Sequence, residues 1–338
     1  MSNLLNIATD DTKPLYIDPS DVTGVQFHVE SGKQTISIHN PDGQLLWMDM
    51  VQWNIEAADV IDKLRNAGVP LVHFPVRWPG DNDTYKEYDH YINPHAVTFA
   101  TVTEVTKAGH LGAIVGVRGV GWEESYNTKP EELAELLTAV RAVKSLKEYG
   151  PDVAHARWYN AAGLYIDPKS VSRIVDSGHG QIDVSFDGSG SLDVQVKQAD
   201  VNDIVNDMPD FKPLDENNLR EIFNEAHRRK EEADKAARFS FSNDLAAANG
   251  NLISIPSSTV ATHISREDIG WVSLSDDREG KQKILYIQPQ KTPANQYPQA
   301  VRLWFDDANE AVSALKALSD QAGLPPAPEG GKMKLDPG

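Results

Sequence analysis

Cysteine is absent from the 338 residues, which excludes disulfides, thiolate nucleophiles, iron–sulfur clusters and cysteine-based zinc sites. Cationic side chains are also scarce. Thirty-two lysines and arginines face fifty aspartates and glutamates, a formal net charge of −18. A charge of that size repels a polyanion unless cations gather on one face, so direct nucleic-acid binding is not expected. No run approaches the roughly 18 apolar residues that cross a membrane as a helix. The first residues, Met1-Ser2-Asn3-Leu4-Leu5, lack the basic and apolar regions of a secretion signal. The expected location is therefore the cytoplasm of the producing or host cell, with a virion as the alternative, and no membrane contact.

Catalytic signatures are missing as well. The chain has neither a GxSxG elbow nor a Walker lysine motif, which removes the recognisable routes to serine hydrolysis and nucleotide phosphate binding. His90 and His95 lie near Asp89, but a His-x4-His spacing is no dependable ligand pair. The loop Gly80-Asp81-Asn82-Asp83-Thr84 begins like a calcium loop, yet Lys86 stands where glycine is required and Ile92 where a bidentate glutamate should close it. Gly109, Gly112, Gly116, Gly119 and Gly121 do not follow GxGxxG and read as tight turns and close packing. The adjacent acids Glu123-Glu124, Asp276-Asp277 and Asp306-Asp307 point apart rather than at one bond, and Asp306-Asp307 reads as a helix N-cap. No catalytic, metal or cofactor residue is assigned, and no cofactor is expected.

What is present is a repeated phrase. Tyr16-Ile17-Asp18-Pro19, Tyr91-Ile92-Asn93-Pro94 and Tyr165-Ile166-Asp167-Pro168 start 75 and 74 residues apart, each with a valine three residues past the proline, at Val22, Val97 and Val171. A looser fourth copy reads Leu252-Ile253-Ser254-Ile255-Pro256 with Val260. A fixed period points to stacked units rather than to one catalytic pocket.

Each copy reads as strand, hairpin strands, helix. In the first, Val25, Phe27 and Val29 alternate with Gln26, His28 and Glu30, and Ser31-Gly32 turns the chain into Thr35–His39, so apolar residues fall on one face. After Asp42-Gly43 and the strand Leu45–Met48, Asn54 reads as an N-cap. A helix with Ala57, Ala58, Ile61 and Leu64 follows and stops at Gly68. In the second, Thr128 and Glu131 form a capping box ahead of Leu133, Leu136, Leu137, Val140 and Val143. The third ends in a helix with Val201, Ile204, Val205 and Met208. The fourth inserts a loop around Lys291–Gln296 before Ala300–Phe305 and a helix with Ala308, Ala311, Val312, Leu315 and Leu318.

Between the third and fourth copies, Asp215 to Arg238 reads as a polar helix with seven acids and six lysines or arginines, its first turns carrying Leu219, Ile222, Phe223 and Ala226. The expected fold is α+β: about four small antiparallel-sheet-plus-helix modules in tandem with this extra helix inserted. The boundaries are 1–80 for module 1, 81–150 for module 2, 151–212 for module 3, 213–244 for the polar connecting helix, 245–323 for module 4, and 324–338 for a proline-rich tail expected to be extended and mobile.

Seven tryptophans, at 47, 53, 78, 122, 158, 271 and 304, recur in or near the modules. Most are expected in the core. The stretch His73–Pro79 reads as a rigid projecting loop, which makes Arg77, Trp78 and Tyr85 the candidate partner contacts. The expected function is a non-catalytic, protein-binding scaffold or assembly component, with viral origin and homo-oligomerisation as accompanying readings and the partner proteins unidentified. Two other classes stand beside it. One is an acidic nucleic-acid-associated ring or DNA mimic, for which Arg228, Arg229 and Lys230 beside His227 are the best basic cluster. The other is an enzyme whose pocket lies between modules.

Overall fold

The computed structural model describes residues 4–8, 14–30, 33–52, 55–79, 85–104, 111–156, 161–176, 180–208, 216–257, 260–277, 279–289 and 300–323. The fold is mixed α+β, with five helices and several antiparallel sheets among the described residues, and the chain divides into two compact units. The first is Met1–Val171 with Ser185–Lys197; the second is Ser172–Val184 with Gln198–Gly338. No helix among the described residues is long and apolar enough to cross a membrane.

The first unit opens with β1 (Leu5–Asn6) and β2 (Tyr16–Ile17), a 3-10 turn at Pro19–Asp21, then β3 (Gly24–Glu30), β4 (Lys33–Asn40), β5 (Gly43–Asp49) and α1 (Ala57–Asn66). Strands β6 (Val72–Pro79) and β7 (Tyr85–Ile92) lead to a second 3-10 turn at Pro94–Ala96, followed by β8 (Val97–Glu104), β9 (Leu111–Val117), β10 (Gly121–Thr128) and α2 (Pro130–Val143). Next come β11 (Lys147–Tyr149), β12 (Val153–His155), β13 (Ala161–Ile166) and a third 3-10 turn at Pro168–Ser170. Strand β14 (Val171–Asp176) belongs almost wholly to the second unit, β15 (Gln181–Phe186) divides between the two, and β16 (Gly190–Val196) returns to the first. The rest of the second unit is α3 (Val201–Asn206), α4 (Glu216–Asn249), β17 (Leu252–Ile255), β18 (Thr262–Ser265), a 3-10 turn at Arg266–Asp268, β19 (Ile269–Asp276), β20 (Lys283–Pro289), β21 (Val301–Phe305) and α5 (Ala308–Ala322).

Two five-stranded antiparallel sheets dominate the first unit, in the orders β5-β4-β3-β7-β6 and β10-β9-β8-β13-β11. One face of the first sheet carries Val25, Ile36 and Ile38, which pack with Val60, Ile61 and Leu64 of α1. Its other face carries Phe74, Val76 and Ile92, which join Val97, Val115 and the α2 residues Leu133, Leu136 and Val140 in a second core. The alternation read from the sequence holds for Val25 and Phe27, whereas Val29 is 72% exposed; both faces of the sheet are covered. In the second unit, β19-β20-β21 packs Leu285, Leu303 and Phe305 against Ala311, Ala314 and Leu318 of α5.

Helix ends follow local chemistry. Asp307 caps α5 by accepting from the Asn309 amide at 2.7 Å, and Gly323 closes the helix in the left-handed conformation. Val312 is 54% exposed rather than part of the buried stripe. The α2 box is displaced by one residue from the expected one. Lys129 is the N-cap, and Glu132, not Glu131, accepts from its amide at 2.9 Å. Thr128 instead ends β10 and is fully buried. Glu56 is the N-cap of α1. Helix α4 runs to Asn249, past the expected end at 244, because the Ala-rich sequence meets no breaker before Gly250. Asn54, Ser31-Gly32, the loops 80–84 and 291–296, Gly109, Trp53, Trp158 and the tail from 324 lie outside the described residues, as do the side chains of Tyr85 and Leu219.

The three phrases fold alike locally. Asp18, Asn93 and Asp167 each cap a 3-10 turn with a side-chain oxygen that accepts the amide two residues on, from Ser20, His95 and Lys169. The looser copy at Leu252–Pro256 differs: it is β17, paired to β18, and the matching turn follows Ser265. Three hairpin tips also meet in the first unit. The Gly119 amide donates to Gly188 O at 2.7 Å, and a Cβ on Gly119, whose φ is +78°, would lie 1.6 Å from Asn40 O. Only glycine fits there.

Candidate functional site

The covered polar face of the first sheet gathers Gln26 from β3, His39 from β4, and Tyr88 and His90 from β7, with Glu123 reaching in from β10. Strand register sets this grouping, since Gln26 stands opposite both Ser37 and His90, and Gly24 opposite His39. Gln26 Nε2 donates to Glu123 Oε1 at 2.5 Å, and its Oε1 accepts from His39 Nε2 at 3.0 Å. Tyr88 donates its hydroxyl to Glu123 Oε2, and the His28 ring lies 4.6 Å from the Tyr88 ring. His90 is fully buried, and neither ring nitrogen has a hydrogen-bond partner. Its Nδ1 is 4.0 Å from Glu123 Oε1. Gly24 makes room for it, because a Cβ there would sit 2.8 Å from His90 Nε2.

Burial sets the protonation states. It pushes the Glu123 carboxyl up to about 7, against the hydrogen bonds from Tyr88 and Gln26. Burial also lowers His39 to about 4 and His90 to about 3 and raises the Tyr88 hydroxyl. At neutral pH the imidazoles are uncharged, and the cluster is a hydrogen-bonded tie between β10 and the first sheet. Exposures of 0% for His90, 7% for Gln26 and Glu123 and 8% for His39 leave little room for a substrate to reach these groups. Among the described residues, no three His, Asp or Glu side chains are placed to hold a metal ion.

No protein-family model and no curated protein matches the chain. Its chemistry has to be read from its own geometry.

The recurrent geometry is at the joins between one sheet strand and the next phrase. The second residue past each turn valine pairs with an isoleucine two residues ahead of the next 3-10 turn: Gly24 with Ile92 and Phe99 with Ile166 in the repeated phrases, and Arg173 with Ile264 of β18, which lies outside the looser copy at Leu252–Pro256. On its other side the same isoleucine pairs with a flanking strand, through Val72, Lys147 and Ile253 respectively. Backbone bonds extend the first two joins, from Asn93 N to Thr23 O at 3.0 Å and from Asp167 N to Thr98 O at 2.8 Å. Ile92 and Ile166 are fully buried and Ile264 is 3% exposed. Each join therefore combines ladder hydrogen bonds with an apolar lock.

The candidate contact residues land differently from expectation. His73–Pro79 is strand β6, paired with β7 along its length, and not a projecting loop. Arg77 is buried. Its guanidinium donates to Glu132 at 2.7 and 2.9 Å, to Glu87 at 2.8 Å and to Asn127 O at 2.9 Å, which ties β6 to β7, β10 and α2. The hydrogen bonds with Glu132 hold it firmly charged. Trp78 is 40% exposed, with its ring 5.6 Å from that of Tyr126, and the Tyr85 backbone pairs with Pro79. Arg228 and Arg229 are both bound to Glu225, Arg228 also to Glu232, and Lys230 to Asp234, all on α4 itself. The basic cluster is thus neutralised within its own helix.

The tryptophans expected to be core are more exposed than that: Trp47 is 62% exposed, Trp304 48%, Trp122 44% and Trp271 38%. Trp47, Trp122 and Trp304 lie on β5, β10 and β21, the outermost strands of their sheets. A shallow apolar groove of about 450 Å3, lined by Val69, Pro70, Leu71, Pro94 and Val143, lies apart from the polar cluster. Sequence reasoning missed the cluster, although one signal was available. Gln26 and His28 alternate with Val25 and Phe27, and Ser37 and His39 with Ile36 and Ile38, without the acids or lysines of a solvated face, a pattern of a second covered one.

Proposed function

We propose that this chain is a non-catalytic assembly component, built from four related sheet-and-helix modules, that holds other protein chains. The observation that carries the reading is the common register of the three joins, where Ile92, Ile166 and Ile264, each two residues ahead of a 3-10 turn, are clamped between the preceding strand and a flanking one. A catalytic site needs no such repetition; a scaffold gains equivalent faces from it. The internal pairing of Arg228, Arg229 and Lys230 and the charge of −18 count against the nucleic-acid ring. The burial of the Glu123 cluster counts against the enzyme.

Exposed tryptophans on outer strands are the favoured contacts, because an indole buries a large area and keeps a polar edge for a hydrogen bond. Proteins retained by the immobilised chain from the producing cell would be identified, and the strongest binder purified and titrated against wild type, Trp47→Ser and Trp304→Ser. The expected result is about a tenfold loss of affinity for at least one variant, with unchanged thermal unfolding. Unchanged affinity in both would remove these faces as contacts. A chemical turnover abolished by Glu123→Gln would overturn the non-catalytic reading.

A further inference from the structure

We infer that copies of this chain join head to tail by strand addition, with the β1–β2 pair of one copy completing the sheet that ends at β19 of another. The inference rests on the modular reading above. In each complete join, the strand that follows a 3-10 turn receives the next phrase strand on its free edge, and a flanking strand lies beyond. The orders are β3-β7-β6, β8-β13-β11 and β14-β18-β17. Strand β19 also follows a 3-10 turn, but among the described residues it pairs only with β20. Among the described residues it is a join without its second half.

The β1–β2 pair is that half. Leu5 pairs with Ile17 and Asn6 with Tyr16, antiparallel, as Val72 and His73 pair with Ile92 and Tyr91 in the first complete join. Among the described residues, β2 has no strand on its other edge. Tyr16 is 57% exposed, whereas Tyr91 and Tyr165 in complete joins are half-buried. Trp271, at the β19 position that meets the phrase isoleucine elsewhere, is 38% exposed. The shared register then dictates the contact: Trp271 opposite Ile17, Val272 opposite Tyr16 and Ser273 opposite Leu15. Open strand edges of this kind template pairing with another chain. The two edges differ, so the contact is heterologous and propagates to a closed ring or an open filament.

The absence of cysteine makes the test clean. Tyr16→Cys and Val272→Cys are prepared as separate chains, mixed and oxidised. The expected product has twice the 37.2 kDa chain mass, in about tenfold higher yield than when Val312→Cys, exposed and off the join, replaces Val272→Cys, because a disulfide forms only across a short Cα separation. Equal yields would overturn the inference. So would a double Tyr16→Cys/Val272→Cys chain that closes only on itself at 37.2 kDa. Val25→Cys/Tyr91→Cys, across the first complete join, should form a bond within one chain. If that bond forms and the mixed chains do not cross-link, head-to-tail joining falls while the modular reading stands. If it fails, the modular reading falls first.

Discussion

Glu123 carries the clearest residue-level consequence. Its carboxyl is pushed from 4.5 up to about 7 by burial, so between those values the unfolded chain releases a proton that the folded chain keeps. Its contribution to stability therefore falls as pH rises through this window, by on the order of 3 kcal/mol in all. His39 and His90 act in the opposite sense. Both are lowered from 6.5, to about 4 and about 3, so their contribution is lost as pH falls below 6.5. Glu123→Gln removes the first effect and leaves the second. Urea unfolding should place this variant within about 1 kcal/mol of wild type at pH 5 and more stable by about 2–3 kcal/mol at pH 8. The same difference at both values would mean that Glu123 is ionised in the fold. Gly119→Ala should cost about 3 kcal/mol or more, because the added carbon meets Asn40 O in a left-handed backbone; a calorimetric melt close to wild type would contradict the convergence of the tips. At this scale the sequence was legible where the chemistry is local, as in the Asp307 cap. It was opaque for Arg77, whose burial depends on Glu132, 55 residues away.

Among the elements, the three phrase turns share one geometry but differ in surroundings, which predicts an ordering. Asp18 is solvent-facing and caps its turn through the Ser20 amide and hydroxyl, so Asp18→Ala should cost the least of the three. Asn93 also donates to Val22 O at 2.8 Å, and its loss should cost about 1–2 kcal/mol. Asp167 is buried and accepts from Ser170 Oγ at 2.6 Å and from the Lys144 ammonium at 2.8 Å. Asp167→Ala leaves that cation with the Val97 carbonyl but no counter-charge and should cost about 3–5 kcal/mol. Chemical denaturation of the three variants checks the series, and equal losses would contradict it. The turns, most strands and the buried stripes of α1, α2 and α5 could be read from spacing, because a 3-10 cap or an amphipathic face is written within a few residues, whereas α3 buries none of its residues. The pairing of each phrase strand with the sheet before it could not, since Gly24 and Ile92 meet across 68 residues of chain. The fourth turn also sits at Arg266 rather than Pro256, because Leu252–Ile255 is the flanking strand β17 and β18 leads into the turn, which the period alone did not reveal.

For the whole molecule, the strand and helix patterns of the sequence foretold a mixed α+β chain, while the tandem modules read from the period belong to the proposal, as does strand addition at the edges of β2 and β19 that are unpaired among the described residues. Strand addition is made of backbone hydrogen bonds and buried apolar side chains, so salt should not weaken it. Copies that each carry −18 repel, and added salt screens that repulsion. Assembly should therefore be equal or stronger at about 500 mM salt than at about 50 mM. The most direct measurement is the native mass by light scattering across a concentration series at both salts. The account predicts a mass above 37.2 kDa that rises with concentration and does not fall with salt. A mass fixed at 37.2 kDa throughout would contradict it.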